Sequence, residues 1–187
     1  IGRFAFKGCN NLQSFTMVNY MNTNYTSSLR TIGEGAFMDC TALNDIDNDT
    51  SKFVTTLGVS AFENCKNLVD LGQPASLEFI GLYALERTAL LLMQDGPVYV
   101  GHSLCGFCGN MPDHACLEVR DGTTTVAEAA LRGHRQLESI IFPESLKSIE
   151  YEAFNECRDL KHIHLPKSLE FIEDGAFDWS ESAEVEV

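Results

Sequence analysis

Long apolar runs are missing from this chain of 187 residues. No stretch approaches the ~18 continuous apolar residues of a membrane helix, so no membrane insertion is expected in this segment. Positive charge is scarce. Lys and Arg number 13 against 27 Asp and Glu, a formal net charge of −14. That balance opposes nucleic-acid binding, which needs basic patches against phosphate. It also disfavours docking on anionic lipid, and it serves solubility. No secretory signal is read at its start, and the targeting information is expected to be missing rather than negative. The chain opens on IGRFAFKGC, in the middle of a repeat, and is expected to be a fragment or a processed form. General disorder is excluded by a hydrophobic content of 44%.

What the chain does hold is a period. Leu146 to Pro166 reads LKSIEYEAFNECRDLKHIHLP, and the pattern begins again at Leu169 as LEFIEDGAF. Its skeleton is Leu-x-x-Ile-x-x-x-Ala-Phe-x-x-Cys-x-x-Leu-x-x-Ile-x-Leu-Pro. The Ala-Phe-like pairs are Ala5-Phe6, Ala36-Phe37, Ala61-Phe62, Ala84-Leu85, Ala130-Leu131, Ala153-Phe154 and Ala176-Phe177. The spacing from Ala130 to Ala153 to Ala176 is 23 residues, as it is from Ala61 to Ala84. Ala84 to Ala130 is twice that, so a degenerate repeat is expected near Phe107. The remaining intervals carry short insertions. A fixed period of this size predicts a solenoid. Leu-x-x-Ile-x-Leu gives a short strand whose Ile and Leu point inward, and neighbouring coils pair these strands in parallel. The Leu-x-x-Ile that follows is a second extended segment. Ala-Phe-x-x-Cys-x-x-Leu turns the chain, with one helical or 3₁₀ turn expected there. No coil buries its apolar side alone, so stability comes from stacking.

The segment VNYMNTNYTSS after the first repeat reads as a polar loop. It holds the sequon Asn24-Tyr25-Thr26; Asn48-Asp49-Thr50 is another, and both matter only in a eukaryotic secretory pathway. The segment QDGPVYVGHSLCGFCGNMPDHAC departs from the repeat. It alternates like a local hairpin, with Gly-Asn-Met-Pro as its turn. The frame returns at Leu117-Glu118-Val119.

These repeats resemble the BspA-like leucine-rich repeat family, also called the Treponema pallidum type. LKSIEYEAFNECRDLKHIHLP fits the family's repeat at every apolar slot, and the likeness covers nearly the whole chain. VYVGHSLCGFCGNMP followed by VRDGTTTVAEAAL also looks like the stretch that separates two blocks of repeats in members of this family. The resemblance implies a leucine-rich repeat solenoid: a right-handed coil of short parallel strands with short helical turns, about 23 residues per repeat. Residues 1–187 would form one such domain, with an irregular repeat and hairpin at 95–116. Family members are common on the surface of gut and oral bacteria and of some protozoan parasites, and some resemble adhesins. The implied role is a non-enzymatic cell-surface or secreted protein that binds a protein or glycan ligand, without a cofactor. The alternative is a spacer carrying other domains.

Four candidate sites follow from residue types. His102, Cys105, Cys108, His114 and Cys116 have the ligand types of a zinc site. Against this, Cys105 and Cys108 on one strand would face opposite sides, and a redox Cys-x-x-Cys wants a helix N-terminus. Cys9, Cys40, Cys65 and Cys157 share one slot of the repeat with Thr88 and His134, which points to packing. Asp45-Ile46-Asp47-Asn48-Asp49 begins like a calcium loop, but Thr50 stands where the loop needs Gly and Thr56 where it needs Glu. The outward strand positions are Gln13, Ser14 and Thr16; Asn44, Asp45 and Asp47; Asp70; Glu138, Ser139 and Ile141; and Lys161, His162 and His164. If the strand sheet is a binding face, these residues line it, more acidic toward the N-terminus and mixed near His162.

Overall fold

The computed structural model describes residues 1–17, 28–72, 74–93, 95–180 and 183–186. The polar loop and the sequon at Asn24 lie outside them. The chain divides into two compact units, Ile1–Met93 and Gln94–Val187. Both are built of parallel-strand coils about 23 residues apart, with little helix.

In the first unit the strands are β1 (Ser14–Phe15), β2 (Thr31–Ile32), β3 (Asp45–Ile46), β4 (Thr56–Leu57) and β5 (Phe79–Ile80). The short helices α1 (Asn48–Ser51) and α2 (Ala89–Leu92) complete it. β1 pairs in parallel with β3, and a single bridge joins Asp45 to Asp70. β2, β4 and β5 form the second parallel sheet. These two ladders are the Leu-x-x-Ile-x-Leu and Leu-x-x-Ile segments of the repeat. Ile32, Ile46, Leu57 and Ile80 point inward and are at most 4% exposed.

The second unit holds β6 (Gly96–Val100), β7 (Ser103–Cys108), β8 (Ala115–Glu118), β9 (Thr125–Val126), β10 (Leu137–Ile141), β11 (Ser148–Ile149), β12 (His162–His164), β13 (Phe171–Ile172) and β14 (Glu184–Glu186). One sheet runs β14-β12-β10-β8, all parallel; the other runs β13-β11-β9-β7-β6, with only β6 antiparallel. The degenerate repeat is thereby explained. β7 and β8 take the two strand places of a coil, one in each sheet.

The expected hairpin is present as β6–β7, but its turn differs. It lies at Gly101-His102, not at Gly109-Asn110-Met111-Pro112, which instead carries the chain from β7 to β8. Gly101 has φ +57°, which a tight hairpin turn requires of a residue that only glycine adopts readily. The Arg120 guanidinium secures the turn by lying 4.2 Å over the Tyr99 ring and donating to the Gly101 carbonyl at 2.8 Å. Cys105 is the extra residue of a bulge, since Val98 pairs with Gly106 and Tyr99 with Leu104.

The corners at the Ala-Phe pairs are not helical. In every coil the residue before the Ala and the residue before the Cys slot lie in the left-handed region, as at Ser60 (φ 54°) and Asn64 (φ 62°) or Glu152 (φ 54°) and Glu156 (φ 61°). Alternate N–H groups then close turns within the coil, and the others reach the next coil. Ser60, Phe62 and Asn64 donate to the carbonyls of Leu82, Ala84 and Glu86 at 2.9, 2.8 and 2.9 Å. Ala129, Leu131 and Gly133 do the same to Tyr151, Ala153 and Asn155 at 3.0, 2.8 and 2.8 Å. The left-handed conformation costs ~1–2 kcal/mol per residue. Three hydrogen bonds per coil junction offset it, each worth ~0.5–1.5 kcal/mol net. The helical or 3₁₀ turn expected at the Ala-Phe pairs is thus replaced by these turns, and the single-turn helices α1 and α2 lie outside the pairs.

Behind the corners the Phe rings stack. Phe6, Phe37 and Phe62 lie 5.1 and 5.2 Å apart with interplanar angles of 8° and 1°. Phe154 and Phe177 stack at 5.0 Å and 4°. Of the slot cysteines, Cys9 is exposed, while Cys40, Cys65 and Cys157 are buried and each points back one coil. Cys40, Cys65 and Cys157 donate to the carbonyls of Phe6, Phe37 and Leu131 at 3.0, 3.0 and 3.1 Å. Burial pushes the Cys65 and Cys157 thiols up to about 12.

Candidate functional site

The surface that gathers most of the expected residues is the solvent face of the β8–β10–β12–β14 sheet. Inward, Leu117, Ile140 and Ile163 align and are 8%, 0% and 2% exposed. Because side chains alternate, the residues flanking this apolar row must face outward. They form two rows across the strands. One is Cys116–Ser139–His162–Glu184; the other is Glu118–Ile141–His164–Glu186.

A register irregularity between Leu137 and Ser139 makes Glu138 an extra residue on β10. Its carboxylate is held between an ammonium and an imidazole. Lys161 Nζ donates to Oε1 at 2.8 Å, and His114 Nδ1 lies 2.6 Å from Oε2. The Lys161 ammonium first, and His114 second, pull the Glu138 carboxyl below the usual carboxylate range. Glu138 in turn pushes the Lys161 amine up. His164 Nδ1 lies 3.0 Å from Glu186 Oε2. Cys116 Sγ and Ser139 Oγ are 3.4 Å apart.

Of the expected outward residues, Glu138, Ile141, Lys161, His162 and His164 share this face. Asp45 and Asp70 belong to the first unit, where a bridge sets them side by side. Asp47 is engaged otherwise. Its Oδ1 accepts from the Asp49 and Thr50 N–H groups at 2.9 and 3.2 Å, and its Oδ2 accepts from the Thr50 hydroxyl. It caps α1, so the carboxylate run that resembled a calcium loop is a strand end followed by a helix cap. Sequence reasoning missed His114, Cys116, Glu118, Glu184 and Glu186 on the face. Glu118 sits in the returning frame Leu117-Glu118-Val119, and Glu184-Val185-Glu186 alternates as a strand should, so both left a signal.

The zinc candidates are not brought together. His102 stands at the hairpin turn, its Nδ1 2.9 Å from the Gly122 carbonyl. Cys105 and Cys108 lie on β7, and His114 and Cys116 at the start of the other sheet. Among the described residues no three His, Cys, Asp or Glu side chains form a group able to hold a metal ion. Burial pushes the Cys105 thiol up to about 12, away from the thiolate that metal binding or thiol exchange uses.

A family model described as BspA type leucine-rich repeat region matches residues 1–93 and 110–187 in 6 copies. Three solved structures are similar. A leucine-rich repeat protein from Bacteroides ovatus is 25% identical with a TM-score of 0.46, covering 100% of this chain and 40% of its own. A leucine-rich cell surface protein from Faecalibacterium prausnitzii is 19% identical with a TM-score of 0.40, covering 100% and 69%. A T. pallidum leucine-rich repeat protein is 22% identical with a TM-score of 0.32, covering 84% and 52%. The chain thus spans well under half of the B. ovatus protein. No curated protein matches the sequence.

Proposed function

The chain belongs to the BspA-type leucine-rich repeat family, and from that premise we propose that it is a protein-binding module displayed at a cell surface or secreted, with the β8–β10–β12–β14 face as its docking surface. One observation carries the reading. Four registered strands hold Glu118, Ile141, His162, His164, Glu184 and Glu186 on one face, above the aliphatic side chains of Leu117, Ile140 and Ile163, buried on the first three of those strands. Such a frame keeps many side chains in fixed relative positions, so little ordering is left for the moment of binding. The surface display is what family membership suggests.

A peptide-display library panned on the immobilised chain tests the reading. Enriched peptides should lose most of their affinity for a H162A/H164A/E138A variant whose thermal midpoint matches the parent. Peptides that bind parent and variant alike would remove this face from consideration.

A further inference from the structure

We propose that the β8–β10–β12–β14 face takes an extended partner segment in which an apolar residue sits between two basic ones, in the pattern basic-x-apolar-x-basic. This rests on the docking reading above and names the partner's chemistry.

The row Glu118–Ile141–His164–Glu186 crosses the four strands. Strands lie ~4.8 Å apart, so its two terminal carboxylates are about 14 Å apart. An extended chain advances ~3.4 Å per residue, and its residues i, i+2 and i+4 share a face. Residues i and i+4 of such a segment are therefore about 14 Å apart, matching the carboxylates. Residue i+2 falls over Ile141, which is 37% exposed, and the His164 ring beside it.

The charges point the same way. Lys161 is taken up by Glu138, so the face's one lysine is already neutralised locally. Among the described residues Glu118 and Glu184 have no ion-pair partner, and Glu186 has only His164. Apart from its imidazoles, the face carries the four carboxylates of Glu118, Glu138, Glu184 and Glu186 against the one ammonium of Lys161. The parallel row Cys116–Ser139–His162–Glu184 has no bulky apolar side chain at its centre, so Ile141 is the apolar contact the face offers there. The net charge of −14 adds long-range attraction for a cationic segment. The Ile141 contact is what separates a fitted partner from that general pull.

The test is fluorescence anisotropy with a labelled probe containing Lys-Thr-Leu-Thr-Lys between Gly-Ser flanks, at about 0.15 M salt. The E118Q/E186Q variant should weaken binding about fivefold, as expected for two exposed ion pairs. An E63Q/E78Q variant, which removes two charges from the first unit, should bind as the parent does. The probe with Ser for Leu should bind severalfold more weakly, and the Glu-Thr-Leu-Thr-Glu probe should not bind. Equal weakening by E63Q/E78Q, or no loss with the Ser probe, would overturn the proposal in favour of plain polyanion attraction. The display experiment separates the two levels. Library peptides that need the face but lack the pattern sink only the partner chemistry, while peptides indifferent to the face sink both readings.

Discussion

Replacing Phe154 by alanine should cost about 4 kcal/mol of stability. The side chain is 0% exposed. Its ring stacks on Phe177 at 5.0 Å and meets Phe142 edge-on at 5.8 Å and 75°. Burying a phenylalanine is worth ~1.5–3 kcal/mol, and the cavity left by truncation brings measured losses to ~3–5 kcal/mol. Phe177 has only one stacked neighbour and is half-buried, so Phe177→Ala should cost about 2 kcal/mol. Phe154→Leu keeps most of the volume and should cost about 1.5 kcal/mol. Urea unfolding followed by far-UV circular dichroism and by Trp179 fluorescence measures all three. Trp179 is the chain's single tryptophan and lies two residues from Phe177, so it reports on the same stack. With a slope of ~2 kcal/mol/M, Phe154→Ala should lower the midpoint by about 2 M relative to the parent. A Phe154→Ala loss no greater than that of Phe177→Ala would refute the stacked-ring account of the core.

Gly58→Ala should destabilise by ~1–3 kcal/mol, because the new Cβ would meet Glu34 N at 2.5 Å and Gly33 C at 2.8 Å; Gly2→Ala, with nothing within 4 Å, should be neutral by the same melt. Asp47→Ala should cost about 1 kcal/mol through loss of the α1 cap, with Asp47→Asn recovering part of it. Thiol titration at pH 8 should find Cys9 and Cys116 reactive in the native protein, and Cys40, Cys65 and Cys157 only after unfolding. The Cys65 and Cys157 thiols titrate near 12 when folded against 9.0 ordinarily, so their stabilisation is complete below pH 9 and is lost as pH rises toward 12. His134, half-buried and edge-on against Phe107 at 5.6 Å, is held below its ordinary 6.5 by partial burial. The unfolded chain therefore takes its proton first, and stability should fall as pH drops below 6.5; His134→Cys, which restores the usual slot residue, should flatten that slope in urea titrations across pH 4–7.

The readings that held came from spacing, and the ones that changed depended on contacts. The outward placement of Glu138, Ile141, Lys161, His162 and His164 follows from a period of two along each strand, which is a property of neighbouring residues. Asp47 was read as outward by the same rule. Its capping role depends on α1 beginning at Asn48, which no periodicity announces. The zinc candidates, already disfavoured by the strand alternation of the segment, are not brought together, because β7 and β8 enter different sheets.

By itself, the sequence determined the coil. The 23-residue return of Leu, Ile, Ala and Phe sets which side chains meet in the core, since apolar burial responds to pattern and volume more than to precise identity. Tertiary structure alone decided the corners and the face. Phe4, Ser60, Tyr83, Ala129 and Glu152 share no local preference for the left-handed region, yet all adopt it. The N–H groups of Phe4, Ser60, Ala129 and Glu152 find acceptors one coil away, and that gain exists only once the coils stack. Likewise Glu138 reaches both His114 and Lys161 because the register slips by one residue on β10. Those partners lie 24 and 23 residues away, a separation that only stacking of the coils brings within hydrogen-bond reach.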